Sequence, residues 1–152
     1  MHIVNRFYLI LAIIISTFFI SLANANKQRL TDFETISKGI DSQYNDTENS
    51  QLIEIYNHEE WVIFWKKHAN RPNYPFPAPP LPEVDFRNFY VLVVLDQARG
   101  SGGYDLEITK VIVDSLNENK PFHIVTALGQ PGRYTATTAE INRPYHIIKI
   151  RR

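Results

Sequence analysis

The chain has 152 residues, 16 Lys+Arg against 16 Asp+Glu, a formal net charge of zero and no cysteine. That balance removes the electrostatic case for binding nucleic acid or an anionic membrane. Without cysteine there is no disulfide to brace the fold and no thiol to carry a lipid anchor, so stability has to come from a packed core.

The first 25 residues read as a secretory leader. Met1 to Arg6 carries one full positive charge, Phe7 to Leu22 is almost wholly apolar, and Ala23-Asn24-Ala25 places small residues at the spacing signal peptidase cuts. Charged start, short apolar core and A-x-A site together predict export, with a periplasmic or secreted product beginning at Asn26 and no stable membrane anchor after cleavage. An uncleaved anchor is the competing reading, since the apolar run is only marginal for spanning a bilayer.

Residues 26–50 are polar and are expected to form a flexible leading segment, with a helical turn at Ile36 and Ile40 at most. Gln51 to Tyr56 reads as a short strand. Asn57 is placed to cap a helix, Glu59 and Glu60 fall in its first turn and Lys66 and Lys67 near its end, each where the helix dipole favours them. Trp61, Phe64, Trp65 and His68 lie on one face of that helix, which should stop by Asn70. Arg71 to Pro82 then holds six of the nine prolines. A polyproline ligand is one reading; a stiff crossing loop is the plainer one. Phe89 to Leu95 is a continuous apolar run, as in a strand covered on both faces. Tyr104 to Val111 alternates as a half-exposed strand does, and Phe122 to Leu128 and Pro144 to Ile150 are two more strands. Their separators, Asn117 to Pro121 and Gly129 to Gly132, are rich in turn formers. Five short strands and one helix predict a mainly β (α+β) domain over 51–152: a small antiparallel sandwich or partly open barrel with one N-terminal amphipathic helix.

The order of these features carries a resemblance. Trp61 and Trp65 in a short helix, a proline-rich crossing and Val84-Asp85-Phe86 come first. The apolar strand, Gly100-Ser101-Gly102-Gly103-Tyr104, Pro131-Gly132 and the closing Pro144-Tyr145-His146-Ile147-Ile148-Lys149-Ile150 follow. Over residues 52–150 this resembles the C-terminal domain of PrcB-type protease complex subunits, with Ser101 where the family usually has threonine. The resemblance implies an exported accessory subunit that associates with or stabilises a protease, and no active site. The turn alone is also similar to the glycine-rich loop of chagasin-like cysteine-protease inhibitors.

Catalytic and metal motifs fail on inspection. Gly100-Ser101-Gly102-Gly103 lacks the glycine two before the serine that a hydrolase elbow needs, because Arg99 stands there. His58 and Asp85 precede Ser101 in a trypsin-like order, but one small domain cannot supply paired barrels. His58-Glu59-Glu60-Trp61-Val62 has valine where a zinc helix needs its second histidine, and His58, His68, His123 and His146 are spread without ligand spacing and read as surface or capping histidines. Asp105 and Glu107 share a strand face and read as solvated, as does the Arg151-Arg152 tail. Trp61 and Trp65 read as core. No catalytic residue, metal or cofactor is expected.

What remains is the turn. Two adjacent glycines between two strands imply a backbone shape other residues resist. Tyr104 and Tyr134 offer aromatic anchors, and Arg99 and Arg133 charge-assisted contacts. Arg99, Ser101, Gly102, Gly103, Tyr104, Arg133 and Tyr134 are therefore the expected partner-binding surface, at a hairpin end facing solvent. The partner would be a protein, with a protease the one the resemblance favours. The alternatives are a small exported hydrolase and an envelope protein with no dedicated partner.

Overall fold

A computed structural model describes residues 28–45, 49–70, 77–115, 117, 121–132, 136–137 and 139–152. The leader at 1–25 lies outside them. Seven strands and one helix are described: β1 (Gln28–Thr31), β2 (Phe33–Gly39), β3 (Gln51–Ile55), α1 (His58–His68), β4 (Phe89–Leu95), β5 (Asp105–Asp114), β6 (Phe122–Gly129) and β7 (Tyr145–Arg151). They form two antiparallel sheets, ordered β1-β5-β6 and β2-β7-β4-β3, in a sandwich-like arrangement that does not close into a barrel. The chain divides into two compact units, Met1–Thr31 with Ile112–His123, and Asp32–Val111 with Ile124–Arg152.

The first unit holds β1, the end of β5 and the start of β6, and most of the turn expected at 117–121 lies outside the described residues. Asp114 donates its N–H to Pro121 at 2.7 Å and accepts one from Asn117 at 3.3 Å. Its carboxylate accepts from the Gln28 side chain at 3.2 Å.

The second unit is built on β4 and β7, the central pair of the four-stranded sheet. Val91, Leu92 and Val93 are each fully buried, as are Ile147 and Ile148. β4 reads as an unbroken apolar run because both faces of the sheet are covered, and β7 is as deeply buried although His146 and Lys149 interrupt it. One face carries Ile55, Val91, Val93, Leu95, Tyr145 and Ile147 and packs in one cluster with Trp61, Phe64, Trp65 and Ala69 of α1 and its end. Leu92 and Ile148 are cross-strand partners on the other face. His146 ties that face to β5: its Nδ1 accepts the Ile108 N–H at 2.8 Å, so Nε2 carries the proton and meets Thr35 Oγ1 at 2.8 Å. Leu106, Ile108 and Val111 of β5 are buried, and the alternation slips at Thr109 and Lys110, both exposed.

The helix ends as its sequence dictates. Asn57 Oδ1 accepts the Glu60 N–H at 2.9 Å, and Glu60 reaches back to the Tyr56 N–H at 2.9 Å, satisfying two N-terminal donors reciprocally. Ala69 closes the other end on Trp65 at 2.8 Å. Both tryptophans are core, and each indole N–H also holds the proline-rich crossing: Trp61 donates to Pro82 at 2.9 Å and Trp65 to Pro79 at 3.1 Å. Prolines cannot donate, but their carbonyls accept, so the end of the crossing at Pro79 and Pro82 is fastened to the helix, while residues 71–76 of it lie outside the described residues.

Three expectations need correction. Residues 26–50 are not merely a leading segment, and Ile36 is not helical: β1 and β2 arise there, and β2 pairs with β7 from Phe33↔Ile150 to Gly39↔Tyr145. A bulge between Thr35 and Ser37 spoils the period-2 pattern, and Ile36 packs against the helix-side core. His68 and His146, expected at the surface, are 3% and 2% exposed. His68 meets Ser42 Oγ at 2.9 Å and stacks on Phe64, with Tyr145 edge-on at 4.4 Å. Arg152 is no loose tail: its guanidinium donates to the Tyr56 carbonyl at 2.7 Å and lies 4.2 Å from the Tyr90 ring centre.

Candidate functional site

β4 does not turn back on itself at its end. β4 and β5 belong to different sheets, so the Gly100 to Gly103 stretch is a crossover between sheets rather than the hairpin end the sequence implied. Residues 96–99 first continue alongside the chain leading into β7. Asp96 donates to Pro144 at 2.8 Å, and Arg99 and Asn142 exchange N–H bonds at 2.7 and 2.9 Å.

This crossover is braced from within. Asp96 is 6% exposed. Ser50 donates to its Oδ1 at 2.9 Å, and Arg99 approaches Oδ2 through Nε at 2.8 Å and Nη2 at 2.7 Å. Burial pushes the Asp96 carboxyl up, but bonds from Arg99, Ser50 and the Gln97 backbone outweigh it and hold it below its usual range. The same guanidinium lies 4.8 Å from the Tyr104 ring centre. Arg99 therefore shapes the turn, and its charge is already matched by Asp96. It is not an open hand for a partner's carboxylate.

Gly103 has φ +85°, and a Cβ there would stand 2.8 Å from the Pro131 Cβ and 3.4 Å from the Thr137 methyl. Two constraints, backbone shape and close approach, thus demand glycine. They also bring the turn against Pro131, part of the second loop expected at this surface. Gly102 is buried, while Ser101 and Tyr104 are half-buried. Arg133 and Tyr134 lie outside the described residues. The sequence reading missed Ile141. It is 82% exposed, the most exposed large apolar side chain among the described residues, and it adjoins Asn142, the backbone partner of Arg99. An isolated isoleucine in the polar run Glu140-Ile141-Asn142-Arg143 was the available signal.

Of the residues weighed for catalysis, Asp85, Asp105 and Glu107 are otherwise engaged. The Asp85 carboxylate accepts from the backbone and Nε of Arg87, each at 3.1 Å, and from Asn88 Nδ2 at 2.8 Å. These bonds, the Arg87 backbone first, hold it below its usual range, and they close the turn into β4. Lys38 binds Asp105 at 3.0 Å and lies 3.7 Å from Glu107, so the acid pair is one side of a solvated ion cluster. Among the described residues, no group of three or more His, Asp or Glu gathers to hold a metal.

Residues 90–151 match the family described as PrcB C-terminal. The match supports a PrcB-type C-terminal domain over that part of the chain. The PrcB C-terminal match takes in β4 to β7, the braced turn, Pro131 and Ile141. It leaves out β1, β2, β3 and α1, so the helix tryptophans and Val84-Asp85-Phe86, part of the sequence resemblance, lie outside it. Comparisons with curated proteins and with solved structures give no match, and the likeness of the turn to chagasin-like inhibitors is not confirmed.

Proposed function

We propose that this is an exported, non-catalytic accessory subunit that binds a protein of an extracytoplasmic protease complex. The PrcB C-terminal family suggests a protease-complex-associated role. The observation that supports a binding surface is Ile141, 82% exposed beside a turn whose shape is fixed by the Asp96–Arg99 pair and by Gly103. A rigid platform carrying an exposed apolar side chain and a half-buried tyrosine is suited to anchor a partner, because little ordering entropy is lost on binding. The contact residues are Tyr104, Ser101 and Ile141, with Arg99, Gly102 and Gly103 setting the backbone beneath them. Arg133 and Tyr134 extend the surface in this reading. The engaged state of Asp85 and the failed sequence motifs argue against a small exported hydrolase.

The test uses Tyr104→Ala combined with Ile141→Asp. Neither residue is fully buried, so thermal stability should move by no more than a few degrees. Recovery of the partner from the extracytoplasmic fraction should fall at least about tenfold, equivalent to about 1.4 kcal/mol. Equal recovery with wild type and double variant would remove this surface from the account.

A further inference from the structure

β3 is an edge strand: in the order β2-β7-β4-β3 it pairs with β4 on one side, and no described strand lies on the other. Exposed edges are normally guarded by proline, lysine, a bulge or a covering element. Gln51-Leu52-Ile53-Glu54-Ile55 has neither proline nor lysine, and its register with β4 runs unbroken from Gln51↔Leu95 to Ile55↔Val91. Along this edge runs a groove of about 190 Å³ between β3 and α1, with Ile53, Glu54, Glu60, Ile63 and Lys67 among its lining. Leu52 is 39% exposed and Ile63 54%, although both flank the core of the fold.

The flank of α1 beside this edge reads Glu60, Ile63, Lys67, spaced three and four apart and so in line on one side of the helix. Glu60 bonds the Tyr56 N–H, which fixes it at the end of β3 where the chain turns into α1. Lys67 lies at the other end of the helix, 5.5 Å from the Tyr44 ring centre. The flank is therefore acidic at one end, apolar in the middle and basic at the other. Rotated by a two-fold axis, such a flank complements itself: acid meets base twice and Ile63 meets Ile63. The same rotation pairs β3 with its copy antiparallel about Ile53. A two-fold contact of this kind is isologous and closes after two subunits.

From this edge and this flank we propose that β3 pairs with β3 of a second copy of the chain, extending the sheet across a dimer in which Glu60 of each copy faces Lys67 of the other. The contact is independent of the surface at Tyr104 and Ile141. It leaves the outer backbone groups of β3 bonded, and it buries Ile63 at its centre.

Sedimentation velocity on the chain expressed from its full sequence, from about 1 to 100 μM, tests the contact. Wild type should form a dimer that weakens as salt rises, because two ion pairs contribute. Lys67→Glu should raise the dimer dissociation constant at least about tenfold. Glu60→Lys should do the same, and since it also removes the Tyr56 bond, its folding is checked by thermal melting. The double swap, Glu60→Lys with Lys67→Glu, should restore dimerisation toward wild type, which a merely structural role for either residue would not do. Because the chain has no cysteine, Ile63→Cys supplies one thiol per copy, expected to form an intermolecular disulfide under mild oxidation. A monomer at every concentration overturns the proposal. So does a dimer indifferent to both single variants, a charge swap that restores nothing, or an Ile63→Cys dimer that does not cross-link.

Discussion

Arg99→Ala separates a turn built by its own ion pair from a turn merely decorated by a surface arginine. The substitution leaves Asp96, 6% exposed, with Ser50 as its remaining side-chain donor. Removing one partner of a fully buried pair costs about 3–5 kcal/mol, whereas an exposed pair contributes about 0–1 kcal/mol. The Arg99 side chain keeps 21% of its surface and Asp96 7%. Water entering the vacated space restores part of the lost solvation, so the expected cost lies between the limits, about 2 kcal/mol. At roughly 4 °C per kcal/mol for a domain of this size, Tm falls by about 8 °C. The loss also has a pH signature. In the wild type the folded Asp96 carboxyl lies below its ordinary value of 3.8. Its contribution is therefore full above that value and fades as pH falls through the folded one. In the variant burial loses its main opponent, the carboxyl rises, and protonation relieves the penalty as pH falls. The gap between the two proteins should be widest near neutrality and close in acid. Urea unfolding followed by the fluorescence of Trp61 and Trp65 at pH 7 and pH 3 measures both quantities. A gap under about 0.5 kcal/mol at pH 7, where a surface substitution would fall, or a gap unchanged at pH 3, refutes the reasoning.

His146 predicts a second pH effect. Burial, then the charge of Lys38, lowers its pKa from 6.5, with Glu107 and Asp105 acting the other way. The neutral ring is the folded form, so stability should be full above about pH 6.5 and decline as pH falls from there toward the folded pKa. His146→Gln should flatten that slope in urea titrations between pH 7.5 and 5.5, and an unchanged slope would assign it to another group. Gly103→Ala meets both a positive φ and Pro131 and should lose about 1–2 kcal/mol or more. Gly100→Ala, with nothing within 4 Å of the added carbon, should stay within about 0.5 kcal/mol. Equal melting temperatures for the two variants would show that the turn is not constrained.

The elements that were legible in the sequence are those whose burial follows a simple period. α1 shows its apolar face every three or four residues, with a cap at Asn57 and charges matched to its dipole. β4 shows itself as an unbroken apolar run, and β7 as an isoleucine-rich one interrupted by His146 and Lys149. β2 was illegible because it is an edge strand with a bulge, and its side chains alternate only on either side of Thr35 and Ser37. Its pairing is dictated by β7, more than a hundred residues away, which no local pattern reports. The histidines were misplaced for a related reason: a ring nitrogen can be satisfied by a distant backbone N–H or hydroxyl, as Ile108 and Ser42 do here. At the turn, two adjacent glycines correctly signalled a special backbone at Gly103. That Arg99 faces Asp96 needed the fold, since the same two residues three apart read equally well as a free cation and a free anion. Ile141 was visible as a letter, but its exposure follows only from the backbone exchange between Arg99 and Asn142.

In the function proposed above, the surface around Ile141 meets a protein of an extracytoplasmic protease complex. The most direct measurement places a photoreactive amino acid at Ile141 in cells expressing the full chain. A second probe at Val125, 43% exposed on β6, serves as the control. A light-dependent adduct that contains a subunit of such a complex is expected from position 141, lost with Tyr104→Ala and absent from position 125. No adduct at 141, or the same adducts from both positions, would contradict it.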